Sequence, residues 1–144
     1  MNDIRLLFPM AALVLVTFLV AAVMLIQRIA ATRNRRVSIG DFRLNIFADD
    51  APTRMLQAAR NYTNLFEMTV LFYAVCLAAI ATRMSDDLMV QLAWVYVVAR
   101  AVHSLIHITI NNVLLRMTAF FASVGVVGYM WVRLVSNARA ALGA

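Results

Sequence analysis

The sequence predicts an all-α protein in which residues 1–144 form a single membrane-embedded bundle of four transmembrane helices. Hydrophobic residues make up 64% of the chain and charged residues only 14%, with a mean hydropathy of +0.82, so a water-soluble domain is excluded. Four apolar stretches are long enough to cross the hydrocarbon core, which takes about 20 helical residues. These stretches lack the polar alternation of membrane β-strands, so helices are the remaining way to span.

The four predicted spans cover about residues 5–28, 53–82, 87–110 and 112–136. The first is longer than the apolar core of a signal peptide and ends in a basic cluster, so we expect it to be retained. The run Asp49–Pro52 places acids and a proline where a second helix would begin. Ser85–Asp87 and Asn111–Asn112 offer capping side chains for the third and fourth helices.

The charge distribution predicts the orientation of the chain in the bilayer. There are 13 basic residues, all of them arginine, against 7 acidic ones, which gives a net charge of +6. In a polytopic protein, clustered arginines mark the cytoplasmic side, and this explanation is preferred over nucleic-acid binding. Six of them lie between the apolar runs of the first two spans, so this region is predicted to be cytoplasmic, with both termini outside: Arg28, Arg33, Arg35, Arg36, Arg43 and Arg54.

Polar residues within the spans predict a pocket near the cytoplasmic surface. Glu67, the single glutamate, opens a long apolar run, and charged groups inside a span usually face a partner within the bundle. Tyr96, Arg100, His103 and His107 share one helical face in the third span. Glu67 and His103 each lie 18 residues from Ser85, so they are predicted to lie at the same depth. The predicted lining is Arg60, Asn64, Glu67, Arg100, His103, His107 and Arg116.

Several interpretations of this pocket are open from the residues alone. The first is an ion pair between Glu67 and Arg100 that fixes the helix register. The second is a site for a small ligand carrying carboxylates and an amine, because the arginines outnumber the carboxylate. A metal site on His103, His107 and Glu67 is disfavoured by the adjacent Arg100, and a proton relay also stays open.

Cys76, the one cysteine, excludes an intrachain disulfide and is interpreted as a packing residue.

The pattern resembles the membrane-associated proteins in eicosanoid and glutathione metabolism, the MAPEG family. The second span begins with an arginine followed by Asn-x-x-Glu, here Arg60 and Asn64-Leu-Phe-Glu67. The third carries Arg100-x-x-His103 with polar aromatic residues, and the fourth opens with Arg116. The similarity covers the four-span plan and nearly the whole chain.

The resemblance implies a homotrimer in a bacterial inner membrane that uses glutathione as a co-substrate, with no metal. It implies that glutathione binds between protomers near the cytoplasmic face, with Glu67 holding its amino group and Arg28 reaching in from a neighbouring protomer. Arg116 is the implied catalytic residue, because the corresponding arginine stabilises a glutathione thiolate that attacks a lipophilic electrophile or peroxide. The implied ligand-binding residues are Arg28, Arg60, Asn64, Glu67, Arg100, His103 and His107.

The chain departs from the family pattern close to the implied thiol position. Met117 and Phe120 stand where prostaglandin-type catalysts have a serine and a tyrosine, and His107 stands where a tyrosine is common. A proline that usually follows the glutamate is absent. Because the rest of the pattern is kept, the resemblance still implies a glutathione-dependent transferase or peroxidase acting on small lipophilic electrophiles. The alternative is a non-catalytic membrane protein whose intramembrane polar residues are structural or bind a small cytoplasmic ligand.

Overall fold

The computed structural model describes residues 4–44, 46–48 and 50–143, apart from the side chain of Leu44, and this part of the chain contains no strand. Four of its helices are long and apolar enough to cross a membrane, which confirms the predicted all-α class. In chain order the helices are α1 (Leu7–Arg33), α2 (Asp41–Leu44), α3 (Thr53–Ala81), α4 (Asp87–Ile108) and α5 (Val113–Gly143).

The helix ends follow from local sequence chemistry. Asp86 caps α4 by accepting a hydrogen bond from the backbone N–H of Met89 at 2.8 Å, and Asn112 caps α5 by accepting one from Leu115 at 3.1 Å. Both capping predictions are confirmed. Helix α3 begins directly after Pro52 without a side-chain cap, while Asp49 of the predicted start lies outside the described residues.

Two helices continue beyond the predicted spans. Helix α1 runs to Arg33 rather than stopping near residue 28, and α5 runs to Gly143 rather than near residue 136. The predictions stopped where the apolar runs stop, but helical hydrogen bonding does not require apolar side chains. Alanine and arginine, which are frequent in both extensions, have high helix propensity.

The long helices pack into a bundle in which α4 lies along α5, and α3 contacts α1, α4 and α5. The centre of the bundle is apolar, and Phe72 of α3 stacks on Tyr96 of α4 with ring centroids 4.4 Å apart. Tyr96 also donates a hydrogen bond from its hydroxyl to the carbonyl of Met68 at 3.2 Å. Cys76 is fully buried in this core, in agreement with its interpretation as a packing residue.

The arginine-rich loop after α1 folds back against the start of α3. Val37 and Ala51 from the loop are buried with Ala31 of α1 and Met55 of α3 in a second apolar cluster. Phe42 and Phe47 pack edge to face, with centroids 5.3 Å apart, beside this cluster. The loop is thereby held over the end of the bundle at which α3 begins and α4 ends.

The turn between α3 and α4 holds a contact between Asp86 and Arg133 that is expected to be sensitive to acid. Asp86 accepts a hydrogen bond from Arg133 of α5 in addition to capping α4. The hydrogen bond from Arg133 lowers the pKa of the Asp86 carboxyl, against the opposing effect of burial. The contact therefore stabilises the fold fully above the unfolded-state pKa of about 3.9, and this contribution is lost as pH falls through the depressed folded-state value.

We expect Asp86→Asn to retain the helix cap, because asparagine caps as well as aspartate, but to remove the acid-sensitive contribution. Asp86→Ala should lose both, with the lost cap alone costing about 1 kcal/mol. Thermal unfolding of the detergent-solubilised protein between neutral pH and pH of about 3 measures both effects. Equal acid destabilisation of wild type and Asp86→Asn would show that the contact with Arg133 does not stabilise the fold.

Candidate ligand-binding site

A cavity of about 700 Å³ opens where the start of α3, the end of α4 and the start of α5 meet under the loop. Its volume lies within the range of small-molecule sites, about 300–1,000 Å³. Six of the predicted site residues line it: Arg60, Asn64, Glu67, His103, His107 and Arg116. The other lining residues are Phe47, Ala48, Leu56, Ala59 and Thr63.

The predicted ion pair between Glu67 and Arg100 is wrong. Arg100 is fully buried, and its Nη2 donates to the carbonyl oxygen of Asn64 at 2.8 Å and to Oδ1 of the same residue at 2.9 Å. Glu67 is exposed on the cavity wall and makes no ion pair with any residue that the structure describes. Asn64 lies only three residues before Glu67, about 4.5 Å along the helix, and a depth argument from the turn does not resolve that difference.

The contact with Arg100 fixes the orientation of the Asn64 side chain. A guanidinium group only donates hydrogen bonds, so the atom of Asn64 that faces it must be the amide oxygen. The amide NH₂ is then turned away from Arg100, and Asn64 itself lines the cavity. Arg100 also lies with its guanidinium carbon 5.7 Å from the centroid of the Phe120 ring. Arg100 therefore supports the cavity wall from behind and does not line it.

Arg116 is held in the first turn of α5 by Asn111 of the α4–α5 turn and by His107 near the end of α4. Its Nη1 donates to Oδ1 of Asn111 at 2.9 Å and lies 3.3 Å from Nε2 of His107. Asn111 has a positive φ of 47°, a conformation that asparagine adopts more readily than most residues. The backbone carbonyl of Arg116 lies 3.0 Å from Nδ1 of His103. These contacts join both histidines to the one arginine on the opposite side of the turn.

Arg28 is not part of this cavity within a single chain. Its guanidinium carbon lies 5.2 Å from the centroid of the Phe42 ring. It lines a separate, mostly apolar cavity of about 450 Å³ beside the end of α1. Its role in binding a ligand from a neighbouring protomer stays a prediction.

A smaller cavity of about 260 Å³ adjoins the main one. Both are lined by Asn64, His103 and Arg116, and the smaller one adds Met117, Phe120 and Phe121. Met117 and Phe120, which the sequence marks as positions without a hydroxyl group, were not predicted to line a cavity. Phe120 lies four residues after Arg116 and Phe121 lies four residues after Met117. This spacing is the sequence signal that an apolar surface continues along this side of α5.

Phe47 and Ala48 of the loop line the cavity and were not predicted, because an irregular loop has no periodicity from which its packing can be derived.

Within the described part of the chain, no group of three or more histidine, cysteine, aspartate or glutamate side chains is placed to hold a metal ion.

The MAPEG family profile matches residues 6–136, which is most of the chain. The protein therefore belongs to the MAPEG family, and with four helices apolar enough to span it is a multi-pass membrane protein. The family generally uses glutathione and is generally trimeric, so membership supports a glutathione-related function in the membrane. No curated protein and no solved structure matches the chain significantly.

Proposed function

We propose that the protein is a glutathione-dependent transferase or peroxidase that acts on small lipophilic electrophiles within the bilayer. The observation that supports this most strongly is the charge pattern of the larger cavity. Arg60 and Arg116 present two cations to it and Glu67 presents one exposed carboxylate. Glutathione in its thiolate form carries one ammonium group and three anionic groups, which are two carboxylates and the sulfur. Glu67 therefore complements the ammonium group, Arg60 a carboxylate and Arg116 the sulfur.

Each polar residue has a role in this proposal. Glu67 binds the ammonium group, and Arg60 binds a carboxylate through paired hydrogen bonds. Asn64, oriented by Arg100, supplies an amide donor, while His103 and His107 complete the wall beside Arg116. Arg116 is the catalytic residue, because a fixed cation in the first turn of a helix stabilises a thiolate.

We propose a homotrimer in a bacterial inner membrane, with the cavity on the cytoplasmic side and both termini extracytoplasmic. In that arrangement Arg28 of a neighbouring copy closes the glutathione site. The bilayer is the source of the lipophilic substrate, which reaches the thiol through the smaller apolar cavity between Met117, Phe120 and Phe121.

Turnover by the purified protein in lipid nanodiscs tests the enzymatic part of the proposal. A chloronitrobenzene, an unsaturated aldehyde and a lipid hydroperoxide serve as model substrates, each with glutathione. We expect formation of conjugate or reduction of peroxide, and we expect S-methylglutathione, which has no free thiol, to support neither. Saturable glutathione binding without turnover of any of these compounds would refute the enzyme and favour the non-catalytic alternative.

A further inference from the structure

The two cavities meet at three side chains, Asn64, His103 and Arg116, which line both of them. If glutathione occupies the larger cavity and an electrophile the smaller one, the reacting sulfur must lie at this junction. The hydrogen-bonding capacity of the three side chains therefore determines which of them is able to accept the thiol proton.

Two of the three offer only donors to the junction. Arg116 has no acceptor atom in its guanidinium group. Asn64 has its amide oxygen engaged by Nη2 of Arg100 at 2.9 Å, which leaves the NH₂ group for a ligand. These donors suit a thiolate, but neither is able to take a proton from a thiol.

His103 offers an acceptor. Its Nδ1 lies 3.0 Å from the carbonyl oxygen of Arg116, and because a carbonyl only accepts, Nδ1 carries the proton and donates it. In the neutral ring the lone pair is then on Nε2. His103 is only 3% exposed, and its Nε2 is buried without a hydrogen-bond partner among the described residues. A buried nitrogen lone pair left without a donor is costly unless a ligand or water supplies one.

His107 does not offer the same atom. Its Nε2 lies 3.3 Å from Nη1 of Arg116, so that lone pair already faces a donor. The hydroxyl nearest to Arg116 in sequence, on Thr118, donates to the carbonyl of Leu115 at 2.8 Å and is exposed. Met117 and Phe120 carry no proton acceptor.

We propose that His103 is the general base that removes the thiol proton, an inference that rests on the proposed function. The S–H bond of glutathione breaks, its proton moves to Nε2, and the sulfur electron pair forms the new bond to the electrophilic carbon. The bond from that carbon to its leaving group breaks, and the leaving group departs with the electron pair and receives the proton from Nε2. The base is thereby regenerated, and no oxidant or reductant is needed.

The charges around His103 are consistent with this step. The charged groups that line the larger cavity with it or contact its neighbours are Arg60 and Glu67 from α3, Arg100 from α4 and Arg116 from α5, with His107 the other titratable group. The imidazolium forms only together with the thiolate, so proton transfer does not raise the net charge at the junction.

The test compares His103→Asn with His103→Gln in the full-length protein in nanodiscs. The amide nitrogen of asparagine occupies roughly the position of Nδ1, so His103→Asn keeps a donor for the Arg116 carbonyl and removes the base. Glutamine places its amide near Nε2, which gives a second variant that lacks a base. Ser104→Ala, next in the chain and equally buried, is the matched control and should retain binding and turnover.

We expect His103→Asn to bind glutathione within about threefold of wild type while kcat falls by about 10²- to 10⁴-fold, the usual contribution of general base catalysis. The residual rate of both variants should rise with pH, because water or hydroxide must then remove the proton. If either variant binds glutathione and turns over within about threefold of wild type with an unchanged pH profile, His103 is not the base. If wild type turns over no substrate, the proposed function itself fails, and that result is distinct from a fast variant.

Discussion

Arg116→Leu is expected to lower kcat for glutathione conjugation by about 10²- to 10³-fold, the usual cost of removing one preorganised donor from a developing anion. Arg116 lies at the junction of the two cavities, so its charge acts on the sulfur that becomes anionic. Glutathione affinity should change much less than it does in Glu67→Leu or Arg60→Leu, because those residues are the ones proposed to bind the ends of the peptide. Steady-state kinetics together with calorimetric binding separate the two effects.

Arg116→Lys is the matched variant for this prediction. Lysine keeps the positive charge but not the planar group that donates to Asn111 beside His107, so we expect partial activity. Thermal unfolding controls for damage to the α4–α5 turn. The account of Arg116 is contradicted if Arg116→Leu keeps wild-type kcat and loses glutathione affinity as completely as Glu67→Leu.

The second large effect is an energetic coupling between Asn64 and Arg100. Asn64→Leu should be much more destabilising in the wild-type background than in Arg100→Leu, because it leaves a fully buried guanidinium without its side-chain acceptor. A double-mutant cycle should give a coupling of about 1–3 kcal/mol. Reversible unfolding in mixed detergent measures the four proteins.

A parallel cycle on Glu67 and Arg100 is the control. The two side chains are not paired, so their effects should add within about 0.5 kcal/mol. Asn64→Asp offers a further contrast, since its carboxylate keeps an acceptor for Arg100 but replaces the NH₂ donor. We expect that variant to be at least as stable as wild type and to bind glutathione weakly. Additive losses for Asn64 and Arg100 would contradict the role assigned to that contact.

The fold was predictable because its determinants are local in sequence. Apolar length defined the four spans, and Asp86 and Asn112 were identifiable as caps because a cap acts on a backbone N–H only three residues away. The equal distances of Glu67 and His103 from the α3–α4 turn predicted that the polar faces of α3 and α4 lie together, and both residues line the same cavity. These distances did not distinguish Asn64 from Glu67 as the partner of Arg100, because the two residues lie only about 4.5 Å apart along the helix.

Other features of the site depend on contacts that sequence patterns do not encode. Phe47 and Ala48 reach the cavity because the loop folds back onto Met55, and an irregular segment has no repeat that predicts its packing. The tautomer of His103 depends on a carbonyl thirteen residues away. Arg28 lies outside the cavity of one chain, so any contribution to the site depends on how protomers associate.

The central claim is that the cavity beneath the loop binds glutathione, and calorimetric titration of the purified protein in nanodiscs tests it most directly. We expect saturable binding to wild type, at least tenfold weaker binding to Glu67→Gln, which loses the carboxylate that pairs with the ammonium group, and no change for Ser104→Ala. Tenfold corresponds to about 1.4 kcal/mol, close to the lower end of the range of about 1.5–3 kcal/mol for a hydrogen bond to a charged group. No saturable binding to wild type, or equal affinity in wild type and Glu67→Gln, would contradict the account.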